Sequence, residues 1–128
     1  MKNIIFYSGV ATLITHELDA MSKHEWRVLP LTSWLPDEYG VLVFLFIHIP
    51  IFAILIALIA STKDLIRYRT QIGVSIFLVA HGILHTLFME NASYEFTTVS
   101  SNILIFGGAF LGLIHLFLEY LEKRKIII

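Results

Sequence analysis

Four stretches of this 128-residue chain carry no Asp, Glu, Lys or Arg: Asn3–His16, Tyr39–Thr62, Thr70–Met89 and Phe96–Leu118, of 14, 24, 20 and 23 residues. All nine Lys and Arg and all ten Asp and Glu therefore fall between or beside these stretches. An uncharged run of about 20 residues matches the ~30 Å hydrocarbon core of a bilayer at ~1.5 Å rise per residue. A soluble helix would instead place a charge on its wet face every few residues. The pattern predicts an all-α integral membrane protein. It comprises one domain over residues 1–128, with spans at about 4–26, 39–61, 71–90 and 100–120.

The first span is the least regular. Its apolar part, Ile4–Ile14, contains Ser8, Gly9 and Thr12 and runs straight into Thr15-His-Glu-Leu-Asp-Ala20. Without a small-residue cleavage site it is expected to be one helix with a polar outer end, not a signal peptide. Short connections predict a four-helix transmembrane bundle running up, down, up and down. Lys2, Lys63, Arg67, Arg69, Lys123, Arg124 and Lys125 lie at the termini and in the second loop. The first and third loops hold only Lys23 and Arg27. That asymmetry predicts both termini in the cytoplasm. Trp26, Trp34, Tyr39 and Tyr94 fit an outer aromatic belt, Tyr68 and Tyr120 an inner one, and the Lys123–Ile128 tail an anchor on the inner surface. The expected partner is the lipid bilayer; no basic groove for nucleic acid is present. Cysteine is absent, so thiolate metal sites are excluded.

Five of the six histidines fall in or at the ends of the predicted spans: His16, His48, His81, His85 and His115. Ionisable groups inside a membrane are costly, face the bundle interior and mark functional sites. His81 and His85 are four residues apart and share one helix face. By rise per residue, His16, His48 and His85 reach a common depth of roughly 9–13 Å below the outer surface, with His81 about a turn deeper. These four are the predicted metal ligands. Neutral imidazoles suit zinc, iron or copper, and an open site of this kind generates a nucleophile at neutral pH. Asp19, and Glu17 at the rim, are the candidate supporting or basic carboxylates; Glu25 and His24 are expected at a solvated helix end. His115 with Glu119 forms a possible second site nearer the cytoplasm.

The leading expectation is metal binding, with metal-dependent enzyme activity on a lipid or other membrane-accessible substrate. One alternative is a membrane redox protein holding haem b through His48 and His85. Another is non-catalytic metal or proton binding and transport. The zincin helix motif fails at Ala20 and Val28, no Glu-x-x-His supports a di-iron centre, and no nucleophile elbow is present. Ser101, Gly108, Gly112, His115 and Glu119 form a small-and-polar seam on the fourth span, whose Gly108/Gly112 pair is a candidate homo-oligomer contact.

Thr15-His-Glu-Leu-Asp-Ala20 followed by His24-Glu-Trp-Arg27 resembles an uncharacterised family of small bacterial four-span membrane proteins, a domain of unknown function. Pro36-Asp-Glu38, His48-x-Pro50, His81 with His85, Asn91, Tyr94-Glu-Phe96 and Gly108 through Leu116 extend the resemblance over nearly the whole chain. It implies the topology above and a bacterial inner membrane, and no activity.

Overall fold

The computed structural model describes the backbone of residues 1–127 and the side chains of residues 1–123. Four helices appear, α1 (Lys2–Ser22), α2 (Asp37–Ile59), α3 (Asp64–Phe88) and α4 (Val99–Ile127), with no strand among the described residues. One turn of 3-10 helix, Glu25–Arg27, lies between α1 and α2. The cationic side chains Arg124 and Lys125 and the Ile128 end of the expected inner anchor lie outside the described residues.

α2, α3 and α4 are long and apolar enough to cross a membrane; α1 is not among them. The reason is its polar second half, in which Thr15, His16, Glu17 and Asp19 follow one another within five positions. α1 also ends earlier than the expected residue 26. The amide of Lys23 closes the last turn on the carbonyls of Asp19 and Ala20. His24 then adopts φ 50° and ψ 44°, a left-handed conformation uncommon outside glycine. That residue turns the chain back over the end of the helix, so that Glu25 and Trp26 become buried instead of continuing outward.

α2 starts after Pro36, with Asp37 and Glu38 in its first turn, where negative side chains meet the positive end of the helix dipole. It continues through Pro50.

α1 packs chiefly on α4, and α4 on α3. Gly112 makes the second contact close: a Cβ there would stand 2.7 Å from the backbone oxygen of Ser75 on α3. Gly108 faces Thr12 of α1 and Leu78 of α3. Both glycines of the seam thus have close neighbours within the chain. α2 is the outlying helix: 6% of its apolar stretch is buried, against 28% in α3 and α4.

Contacts at the two ends fix the relative directions. Lys2, at the start of α1, pairs with Glu119 near the end of α4, Nζ to Oε1 2.9 Å. His16, near the end of α1, meets His81 and His85 in the second half of α3. Around that second end lies an apolar cluster of Ala20, Trp26, Phe44, Phe96 and Ile105, and the histidines sit against it.

Candidate metal centre

α1 and α3 supply three imidazoles and the 3-10 turn supplies a carboxylate. His16, Glu25, His81 and His85 each offer a ligand atom, and these atoms all lie within 4.8 Å of one another. His85 Nε2 is 3.2 Å from His81 Nε2 and 3.3 Å from Glu25 Oε1, while His16 Nε2 is 4.0 Å from the same oxygen. A metal ion held at 2.0–2.1 Å by tetrahedral nitrogen and oxygen ligands spaces neighbouring donors about 3.3 Å apart. Two of these separations match that spacing and the third exceeds it by a fraction of an ångström.

The hydrogen-bond inventory agrees. His16 is 1% exposed, yet neither of its ring nitrogens has a hydrogen-bond partner. Buried polar atoms are almost always partnered, and an exception calls for an explanation. A metal ion bound there would account for one of these two nitrogens. His85 Nδ1 lies 3.1 Å from the Tyr94 hydroxyl. With Nδ1–H donating to that oxygen, Nε2 presents its lone pair to the centre, the arrangement by which an outer hydrogen bond fixes a ligand's tautomer. Burial first, and then the Glu25 charge, push the Tyr94 phenol above its ordinary pKa, so it stays protonated. The Phe96 ring closes the cluster, 4.7 Å from the His85 ring and 5.5 Å from that of His16.

Glu25 owes its position to its neighbours in sequence. Arg27 binds Asp37 at the start of α2 through two nitrogens, at 2.8 and 2.7 Å, and reaches Glu95 at 3.3 Å. The Asp37 hydrogen bonds, offset only partly by desolvation, hold the Arg27 guanidinium above its ordinary pKa. His24 Nδ1 also contacts Glu95, at 3.0 Å. Trp26 donates to Asp37 at 3.3 Å and lies on Gly40, where a Cβ would come within 2.5 Å of the indole. These contacts clamp the 3-10 turn over the histidines.

The structure does not bring His48 into this group. Its Nε2 lies 3.0 Å from Glu17 Oε2 and its Nδ1 is turned to the Phe44 carbonyl. Glu17 accordingly faces α2 and not the three histidines. Asp19 is also outside the donor group, with its buried Oδ2 unpartnered. Equal depth predicts His48 beside His16 and His85, but depth ignores the direction in which a side chain leaves its helix.

His115 stands apart too. Its Nδ1 is 2.8 Å from the Ser75 hydroxyl and its Nε2 3.6 Å from Glu119 Oε1, whose other neighbour is Lys2. A haem ligated by His48 and His85 would need one cavity presenting both rings. His85 lines a cavity of about 20 Å³ and His48 a different one, so the residues present do not fit that group.

Glu25 is the site residue that sequence reasoning passed over. A helix continued to about residue 26 puts Glu25 at its solvated end, whereas α1 stops at Ser22 and the turn at His24 folds Glu25 inward. The signal available was the His24-Glu-Trp-Arg27 motif itself, a carboxylate flanked by an aromatic anchor and a guanidinium.

Fold and site together define a helical, membrane-type protein with a histidine–glutamate group able to hold a metal ion. The chain belongs to a family described as Family of unknown function (DUF6713), whose model matches residues 2–122. No curated protein and no solved structure matches it.

Proposed function

We propose that the chain is an integral membrane metalloprotein whose centre is a transition-metal ion held by His16, His81, His85 and Glu25. The observation that carries this is the convergence of four donors on one point, including a fully buried histidine with both nitrogens otherwise unpartnered. A set of three nitrogens and one oxygen without thiolate suits zinc first, then iron or copper.

The chemistry we assign is metal-dependent reaction of a lipid or another membrane-accessible molecule. A metal here supplies Lewis acidity and lowers the pKa of water. The cavity of about 20 Å³ beside Glu25, His81 and His85 has room for one water molecule. With Oε1 ligating the ion, Glu25 would keep its second carboxylate oxygen to accept a proton from that water, and Tyr94 holds His85 in the tautomer such a site needs. Leu84 and Phe88 line the same cavity, and Leu84 is exposed on the outer surface of α3, so a reacting molecule reaches the centre from the lipid side. The cation distribution supports an orientation with both termini in the cytoplasm, and the family resemblance implies a bacterial inner membrane.

Purification in detergent, followed by elemental analysis and a visible spectrum, tests the proposal. One equivalent of zinc, iron or copper per chain, lost to a chelator and regained on supplementation, is expected. Absence of stoichiometric metal after supplementation would overturn it, and a Soret band would replace it with haem.

A further inference from the structure

On the other flank of α1 lies a groove of about 280 Å³ where α1, α2 and α3 meet. It shares no lining residue with the cavity at the metal centre. Leu13, Ile51, Phe52, Leu55, Val74 and Phe77 make it apolar; its ionisable residues are Glu17 and His48. Between α2 and α3 it continues past Leu55 and Gly73 into a second hollow that reaches Leu58 and Thr70. The groove exists because α2 leans on the bundle without burying itself in it, and because Gly73 presents no side chain: a Cβ there would meet nothing within 4 Å.

We propose that this groove binds a single-chain, uncharged amphiphile, with a hydroxyl or carbonyl head at the Glu17–His48 pair and its tail along Leu55 and Val74. Three observations argue for that occupant. First, a polar pair inside an apolar, membrane-facing groove is costly and is retained where it serves a ligand or path. Second, Glu17 and His48 offer an acceptor oxygen and a ring nitrogen side by side at 3.0 Å, which complements a head that both gives and takes hydrogen bonds. A negatively charged headgroup would be set against the Glu17 carboxylate. Third, the hollow at the polar pair, about 280 Å³, lies just below the roughly 300–1,000 Å³ range of small-molecule pockets, which suits a small head and the start of one tail, and the rest of that tail follows the second hollow between α2 and α3. His48 keeps its Nδ1 on the Phe44 carbonyl, which fixes the ring so that Nε2 alone faces the groove.

The inference does not rest on the metal centre, and metal content serves as its control. Binding is measured by native mass spectrometry of the purified chain, with 1-monolauroylglycerol as probe and dilauroyl phosphatidylglycerol as the two-tailed charged comparison. One monolauroylglycerol per chain is expected, bound in preference to the phospholipid. His48→Leu removes the head contact and Gly73→Leu fills the groove. Each is expected to weaken binding about tenfold or more, the scale of losing one well-made polar or apolar contact, while metal content and helix melting stay unchanged. Gly73→Ala, which meets open space, should bind nearly as well as the parent. Equal retention of the phospholipid, or monolauroylglycerol binding that neither His48→Leu nor Gly73→Leu weakens, overturns the proposal.

Discussion

Glu25 Oε1 lies 3.3 Å from His85 Nε2 across 60 positions of sequence, and the two are 4% and 5% exposed. A carboxylate buried against an imidazole inside an apolar cluster is an expensive pairing unless both have further partners. Here those partners are His81 and the Tyr94 hydroxyl, with a metal ion added in the proposed centre.

Removing either member therefore removes the metal. Glu25→Ala and His85→Ala are each expected to lower metal content well below one equivalent. His48→Ala leaves it unchanged, because that ring belongs to the groove. Elemental analysis of the three variants decides the donor set, and loss of metal in His48→Ala would return that residue to the cluster.

Arg27 acts on the centre through the 3-10 turn. Arg27→Ala frees Glu25 from its clamp and should weaken metal affinity about 10–100-fold, the usual range for partners behind the ligands. In a Glu25→Ala background the same change should have almost no further effect on affinity, since the two act in series. Competition titration with a chromogenic chelator gives all four values of the cycle. Additive losses would mean that Arg27 acts on stability alone.

Tyr94→Phe removes one oxygen and keeps the ring that packs 5.3 Å from Phe96. Helix melting should change little, whereas metal affinity should fall about tenfold as His85 loses the bond that fixes its tautomer. A variant that melts earlier and binds metal normally would contradict the assignment.

Gly112→Ala tests the close approach of α4 to α3. The new methyl would meet the Ser75 carbonyl at 2.7 Å, and overpacking of this kind costs about 1–3 kcal/mol. Gly107→Ala, with nothing within 4 Å of the added atom, is the matched control and should be neutral. Circular dichroism melts in detergent compare them; a change of oligomeric state without loss of stability would mean that the seam faces a second copy.

Much of this is written in the sequence. The uncharged stretches mark α2, α3 and α4 because burying a charge in hydrocarbon is prohibitive, a constraint that acts residue by residue. The spacing of His81 and His85 places them together because a helix repeats its faces regularly, and His16 meets them where the polar end of α1 lies beside α3. What was not legible depends on directions that periodicity does not carry. The turn at His24 reverses the chain and brings in Glu25. The loose seating of α2 sends His48 to Glu17. The glycine seam announces a close contact but not whether its partner is α3 or another copy.

The pairing of α1 with α4 has a consequence for how the chain is made. The segment that leaves the ribosome first among these helices finds its main neighbour in the one that leaves last. Until Val99 and the residues after it emerge, α1 lacks its main neighbour, and Lys2 lacks Glu119. α1, the helix least suited to lie alone in lipid, is then obliged to wait at the membrane surface or in the insertion machinery. Early arrest of synthesis after α3 should accordingly leave it exposed to protease, and completion of α4 should shelter it.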